Sequence, residues 1–488
     1  MLHFEVPDFR TIAKDIERDM KVEQIYTGCL AQGAYYIESD GEAAIVDPLR
    51  ESQPYIEKAQ KENASIKYIF ETHFHADFVS GHVDLAQKTG ANIVYGPNAK
   101  TQYDIHEAQD GELFELGKVK IKVLHTPGHT MESTTFLLID EAGKEHAIFS
   151  GDTLFIGDVG RPDLAQKGEL TQNDLAGFLY DSLRNKIMTL PDEVIVYPAH
   201  GAGSACGKNM SSETTDLLGN QKATNYALRA DMTKEEFIKE VTEGLLPPPQ
   251  YFAQNVAMNK SGAQGIDQIL ATGNVALDIE AFEAMANHEG ALVLDTRSAE
   301  DFAAGHIPNA IFIGMDGSFA PWVGALITDL KQPIVFIADK GREAEVVTRL
   351  SRVGYDHTMG YLKGGLEAWI AAGKEIDQVK SISAEAFATT FVSGDLNVLD
   401  VRKPGEFSAE HVEDAQSFPL DYINQHMDDL DKGTTYHIHC LGGYRSMIAA
   451  SILKSRGYHQ VVDIAGGYRA ISETAVPRTD YVCPSTVK

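Results

Sequence analysis

Cysteine is scarce in this chain. The four thiols, Cys29, Cys206, Cys440 and Cys483, are scattered through 488 residues, too few and too far apart to frame a disulfide-held fold. A reducing cytoplasm suits such a chain and leaves single thiols available for chemistry. Basic residues are also short, with 42 Lys and Arg against 71 Asp and Glu, for a formal net charge of −29. A surface that acidic repels phosphate backbones and disfavours nucleic acid as a partner; its plainest effect is to keep the protein dispersed. No apolar run approaches the ~20 residues of a membrane span. The opening Met1-Leu2-His3-Phe4-Glu5 lacks the basic-then-apolar pattern of a secretory leader. A cytoplasmic protein with no membrane partner is the expectation. The rest is ordinary globular material, 43% hydrophobic and 23% charged, enough for roughly two to four domains.

The first half alternates short β-branched runs with polar turns. Ala43–Asp47, Ile66–Phe70, Ile121–Leu124, Ala147–Ser150 and Val194–Tyr197 read as strands. Strand after strand ends in a turn rich in His, Asp and Gly, where side chains can converge on one site. A helix is expected around Lys234–Thr242. Pro247-Pro248-Pro249 then breaks regular structure, and the stretch to about Gly273 reads as a closing loop and linker.

The second half repeats itself. Val293-Leu294-Asp295-Thr296-Arg297 is echoed by Val398-Leu399-Asp400-Val401-Arg402, Phe302 and His306 by Phe407 and His411, and Gly364-Gly365 by Gly466-Gly467. Each copy runs about 100 residues and alternates strand and helix patterns, suiting a small doubly wound α/β domain.

Thr72-His73-Phe74-His75-Ala76-Asp77-Phe78 follows the strand ending at Phe70. It is joined by Thr126-Pro127-Gly128-His129, Ser150-Gly151-Asp152 and Tyr197-Pro198-Ala199-His200-Gly201. One HxH is weak, but four such groups at strand ends point to a metal site, with iron, zinc or manganese as the ions these donors suit.

These residues resemble the metallo-β-lactamase superfamily, whose signature is HxHxDH followed by a downstream His, Asp and His. Its dinuclear hydrolases hold two metals with the full set. Here the last histidine of HxHxDH is Phe78, and a phenyl ring cannot ligate. The pattern is therefore similar to the mononuclear persulfide dioxygenase branch. Carried over position by position, that resemblance implies a mononuclear non-haem Fe(II) on His73, His129 and Asp152, with three positions left for O₂ and substrate. It casts His75, Asp77 and His200 as groups that orient ligands or relay protons, and puts Arg161 near the active site, where a structural salt bridge is an equal alternative. Tyr197 could hydrogen-bond a bound ligand, with a packed aromatic as the default. Pro247–Phe252 and Asn255–Gly262 resemble the lid of the bacterial members. Cys206, six residues after His200, could guard the site, bind persulfide sulfur or form a mixed disulfide; an inert buried thiol is the alternative.

In the last copy the strand Tyr436–His439 runs into Cys440-Leu441-Gly442-Gly443-Tyr444-Arg445-Ser446, with a helix pattern from near Met447. That order aims backbone N–H groups and a helix N-terminus at the sulfur, which favours a thiolate or persulfide anion. Arg445 can complement sulfite or thiosulfate. CxxGxRS resembles the rhodanese active loop. Cysteine phosphatases place five residues between Cys and Arg; here Leu441 to Tyr444 make four, and the tighter loop favours sulfur over a phosphoryl group. In the first copy, the strand Ile334–Ile337 leads into Ala338-Asp339-Lys340-Gly341-Arg342-Glu343, and no cysteine lies between Cys206 and Cys440. That copy is expected to serve as spacer, interface or docking surface.

The resulting expectation is an α/β multidomain chain. An αββα metallo-β-lactamase sandwich spans 1–270, a rhodanese-like domain without its cysteine 275–376, and a rhodanese domain with it 382–488. The resemblance implies oxidation of a glutathione or coenzyme A persulfide to sulfite, with Cys440 forming or using thiosulfate. A homo-oligomer is compatible with this. Two other readings stay open: a zinc thioester hydrolase of glyoxalase II type, and a non-enzymatic sulfur carrier or sensor.

Overall fold

Hairpins and β-α-β crossovers of the first half build two facing sheets. The computed structural model describes residues 20–164, 170–208, 210–393 and 396–482; Met1–Glu5 and Cys483 lie outside the described residues. Among these, the first sheet holds Lys21–Thr27, Gln32–Ser39, Glu42–Val46, Ser65–Glu71, Asn92–Tyr95 and His106–Glu107, in chain order. The hairpin from Ser39 to Glu42 turns through Asp40 and Gly41, both at positive φ (52° and 80°), the pair that matches a two-residue turn to strand twist. The second sheet runs Asp216–Leu217, Ile195–Pro198, Glu145–Gly151, Thr134–Ile139, Val119–His125 and Leu113–Leu116.

Strand alternation decides the layers. Tyr35, Ile37, Ala44 and Val46 meet Phe70, Phe136 and Phe149 between the sheets. The intervening Ala34, Tyr36, Ala43 and Ile45 face outward onto the helices Gln53–Lys61 and His82–Thr89. Burial on both faces explains why these strands read as continuous apolar runs. The second sheet is covered outside by Gln172–Ser182 and Lys234–Thr242. Both helices start in reciprocal capping boxes, Thr171 with Asp174 and Thr233 with Glu236, which satisfy N–H groups that would otherwise be orphaned.

The two repeats fold alike. The middle one orders its parallel strands Ala276–Leu277, Thr358–Leu362, Ile334–Ile337, Leu292–Asp295 and Ile311–Phe312. The last orders Lys380–Ile382, Val461–Ile464, Tyr436–His439, Asn397–Asp400 and Gln416–Ser417. The recurring Asp-x-Arg is structural: Arg297 chelates Asp295 and donates to the Gly305 carbonyl, and Arg402 does the same with Asp400 and Glu410.

The structure corrects the expected linker. After the prolines the chain forms two helices, Phe252–Ser261 and Ile266–Gly273. The second belongs to the middle domain by packing: a Cβ on Gly273 would lie 2.9 Å from Val347 and 3.0 Å from Thr358. The boundary expected at residue 270 therefore falls inside a helix. No helix among the described residues is long and apolar enough to cross a membrane.

Candidate metal centre and sulfur-transfer loop

The metal ligand candidates sit where strands end. His73 follows Ser65–Glu71, Asp152 follows Glu145–Gly151, and His200 follows Ile195–Pro198; two adjacent parallel strands thus deliver the last two side by side. Gly151 is at φ 53°, and a Cβ there would lie 2.6 Å from the Thr72 hydroxyl. That turn admits only glycine without strain.

His73, His129 and Asp152 each offer an atom within 4.8 Å of the other two, and all three are buried. His129 Nε2 is 3.3 Å and His73 Nε2 3.8 Å from Asp152 Oδ2. Their other ring nitrogens are engaged: His129 Nδ1 contacts the Arg161 carbonyl at 2.8 Å and His73 Nδ1 the Thr72 hydroxyl at 3.0 Å. Such contacts fix the ring and leave Nε2 for a ligand. Both oxygens of Asp152 are buried with no hydrogen-bond partner in the protein. A buried carboxylate without a donor is costly, and two imidazoles with one carboxylate suit a divalent transition ion there. Burial and the neighbouring imidazoles push the His73 pKa well below its usual value, keeping the ring neutral as a ligand must be.

His200 and Asp77 stand beside this set. His200 Nε2 lies 3.6 Å from Asp152 Oδ1 and 3.5 Å from Asp77 Oδ2. Cys206 joins them, its sulfur within 4.8 Å of Asp152 and His200 donor atoms. Burial first, then Asp77 and Asp152, raise its thiol pKa well above the usual value, so the sulfur is held as a thiol by the protein alone.

His75 offers an atom within 4.8 Å of Asp77 and His200 donors, and its Nδ1 is buried without a partner; its Nε2 turns toward other carboxylates. Its Nε2 is 3.1 Å from Asp47 Oδ1 and 3.4 Å from Glu71 Oε2, and its ring stacks on Phe78 at 4.3 Å. Burial works against the imidazolium, but the two carboxylates override it and raise the His75 pKa well above its usual value. Glu71, despite burial, is held down to about 2 by His82 and His75. Asp47, Glu71 and His82 escaped the sequence reading. Asp47 ends a strand and Glu71 immediately precedes the motif, so strand-end position was the signal available. Asn259 was also missed: from the lid helix its amide donates to the carbonyls of His75 and Phe78 and accepts from the Ser80 N–H, at 2.8–2.9 Å.

Two expected substrate groups are placed differently. Arg161 is buried; it chelates Asp163 and donates to the carbonyls of Ala205 and Leu246. The structural alternative weighed for it fits, because its guanidinium fastens the Cys206 turn to the post-helix loop. Tyr197 packs into the inter-sheet core, 5.4 Å from Phe149 and 5.1 Å from Tyr35. Strand alternation turns it inward, away from the cluster.

In the last domain the helix Tyr444–Ser455 begins directly behind Cys440, earlier than the expected Met447, with Gly443 at φ 106° as its N-cap. The Gly443 N–H donates to Cys440 Sγ at 3.1 Å. Leu441 and Gly442 form the bend, and Ser446 donates to Asp463 at 2.7 Å. The repeat's Gly466-Gly467 backs this loop: a Cβ on Gly467 would lie 2.5 Å from the Cys440 carbonyl. Its echo, Gly365, meets nothing within 4 Å, since there is no sulfur cradle to support. Arg445 pairs with both oxygens of Glu406, at 2.7 and 2.9 Å, while in the middle domain Arg342 pairs with Asp316 and Glu345.

Comparison with known proteins agrees with this division. The model described as "Metallo-beta-lactamase superfamily" matches residues 27–200, and that described as "Rhodanese-like domain" matches 278–372 and 383–474. The human mitochondrial persulfide dioxygenase ETHE1 is 31% identical over 211 residues, 43% of this chain and 74% of that protein. The hydroxyacylglutathione hydrolase of Tolumonas auensis is 34% identical over 34% of this chain and 60% of its own length, so the chain spans about three-fifths of that relative. A crystal structure titled as a metallo-beta-lactamase from Staphylococcus aureus superposes with a TM-score of 0.61 at 33% identity, covering 70% of this chain and 98% of that one.

Proposed function

We propose, from the premise that this chain belongs to the metallo-β-lactamase superfamily and carries two rhodanese-like domains behind that module, that it is a persulfide dioxygenase coupled to a sulfurtransferase. The observation that carries the reading is Phe78 with His75. One histidine of the dinuclear signature is a phenyl ring, which cannot ligate, so the set of His75, Asp77 and His200 lacks that donor; the ring stacks on His75, whose Nε2 faces Asp47 and Glu71. This supports one metal on His73, His129 and Asp152, a set that leaves coordination positions open.

Fe(II), when bound, supplies the redox chemistry that lets O₂ react with the terminal sulfur of a persulfide. Overall, a persulfide, O₂ and water give the parent thiol, sulfite and two protons. The protein's own part is positional. Arg161 and Thr72 fix the two imidazoles, His200 and Asp77, 3.5 Å apart beside them, can take up released protons, and burial of the cluster excludes bulk water. In the last domain, Cys440 carries sulfane sulfur as a persulfide, the Gly443 N–H steadies the anion, and attack by sulfite on the outer sulfur returns the thiolate and thiosulfate. The reverse direction uses the same atoms. A thiol carrier such as glutathione or coenzyme A is the substrate class.

The test is oxygen uptake by the Fe(II)-loaded chain with glutathione persulfide and coenzyme A persulfide side by side, with sulfite and thiosulfate assayed. Cys440→Ser is expected to abolish sulfur transfer and leave uptake within about twofold, because it lies outside the metal cluster. Collapse of both activities would refute the division of labour. The 34% identity to a hydroxyacylglutathione hydrolase favours a second reading, zinc-dependent thioester hydrolysis. Anaerobic turnover of a hydroxyacylglutathione without oxygen uptake would establish that instead.

A further inference from the structure

Asp77, which stands beside the metal ligand set, and the Cys440 loop line one cavity. This space of about 580 Å³ is lined by Asp77 and by Cys440 and Arg445. Its third wall is the middle domain, whose helix Phe319–Leu326 contributes Trp322 and Ala325.

That wall is closely fitted. A Cβ on Gly324 would lie 2.5 Å from the Tyr251 ring of the first domain, and one on Gly317 would collide with the Tyr444 ring of the last. Tyr444 donates from its hydroxyl to the Gly314 carbonyl at 2.8 Å, and Asn424 donates to the Leu326 carbonyl at 3.0 Å. On the other side Arg352 chelates Glu51, the Val79 N–H donates to the Arg352 carbonyl at 2.7 Å, and Arg50 pairs with Asp356 at 2.8 Å. The apolar core is continuous through all three domains, from Phe78 and Tyr251 through Phe319 and Trp322 to Met447. A domain without the nucleophile thus forms one wall of the space between two others. Lys403 and Arg445 face the cavity at the Cys440 end, beside Asp421, in a chain whose net charge is −29. Arg445 is shared with Glu406, so Lys403, together with that guanidinium, is the feature there that attracts a small dianion.

We propose that this three-domain chamber is a transfer compartment for a small sulfur oxyanion, in which sulfite formed at the metal cluster meets the Cys440 persulfide before it mixes with solvent, and that the cysteine-free domain serves to wall it. The inference rests on the dioxygenase–sulfurtransferase reading above. The step it adds is transport alone; the bond made is between the outer sulfur of Cys440 and sulfite sulfur, and the electron pair of the broken S–S bond returns to Cys440. Confinement raises the effective concentration of the shared intermediate.

The test is isotope dilution on the full, iron-loaded chain. Unlabelled persulfide is turned over in the presence of ³⁴S-sulfite, and the sulfonate sulfur of thiosulfate is read by mass spectrometry. A label content at least about threefold below that of the free pool is expected, rising toward the pool in Trp322→Ala, which widens the chamber. Thiosulfate from the wild-type chain carrying the pool's full label overturns the compartment while leaving the proposed function intact. Absence of oxygen uptake overturns that function and the compartment with it. Should Trp322→Ala fail to fold, the wild-type comparison decides alone. A binding readout needs no turnover: in metal-free Cys440→Ser/Trp369→Phe protein, thiosulfate should shift Trp322 emission saturably and slow alkylation of Cys29, which also lines the chamber. No change in either overturns the anion site.

Discussion

Replacing Phe78 by histidine restores the residue that the dinuclear signature carries at this position. Phe78 is fully buried and stacked on His75. Without metal, Phe78→His exchanges a packed ring for an imidazole whose N–H has no partner, costing about 1–3 kcal/mol for the unsatisfied group and about 1 kcal/mol for lost packing. The sum, about 2–4 kcal/mol, corresponds to a fall in melting temperature of roughly 5–15 °C for a module of this size. Next to it, Asp77 faces His200, so the new imidazole completes a second ligand set. At a hundredfold excess over its dissociation constant, a second ion returns about 2.7 kcal/mol, nearly the whole loss. The assay is metal content per chain, with melting curves in chelator and in added metal. Wild type should hold one equivalent. The variant should hold two and show a steeper dependence of melting temperature on metal. Two tightly held equivalents in wild type, or a variant with one equivalent and unchanged stability, would refute the reasoning.

Asp463 gives a pH prediction. Burial lifts its carboxyl to about 6, against hydrogen bonds from Ser446 and Ser381 that lower it. The folded protein therefore binds a proton more tightly than the unfolded chain, whose carboxyl titrates near 3.8, and folding is penalised as pH rises from about 4 through 6, by at most about 3 kcal/mol. Asp463→Asn should lose this dependence, so denaturant titrations should show it gaining on wild type between pH 4.5 and 7.5; a constant difference would refute the assignment. Asn259→Ala removes the lid's buried hydrogen bonds to the carbonyls of His75 and Phe78. A stability loss of about 2–4 kcal/mol is expected, with metal affinity down about 10–100-fold; unchanged metal retention under chelator challenge would show that the lid does not hold the motif loop.

Much of this architecture was legible in one dimension. The strands came from apolar runs whose residues are buried on both faces, and the expected helix Lys234–Thr242 is present, opened by a capping box. The repeat came from landmarks that the fold itself needs: Asp295 with Arg297, Asp400 with Arg402, and the glycines that turn a strand into a helix. Ligand candidates were visible because strand ends gather them, and spacing within HFHADF is set by one turn. The helices after the prolines were not legible, because their apolar faces are defined by the middle domain and the motif loop rather than by a pattern of their own.

What the sequence determined, then, are properties carried by neighbours along the chain: donor types at strand ends, the missing histidine at Phe78, the CxxGxRS loop at Cys440 and its absence from the first repeat. Tertiary structure decided what depends on distance between segments far apart in sequence. It set His75 Nε2 against Asp47 and Glu71, turned Tyr197 into the core, and used up the guanidinium of Arg161. It also brought Asp77 and Cys440 to one cavity across a domain that has no cysteine. Partner choice among buried polar groups is a three-dimensional accounting of donors and acceptors, and no spacing rule along the chain can perform it.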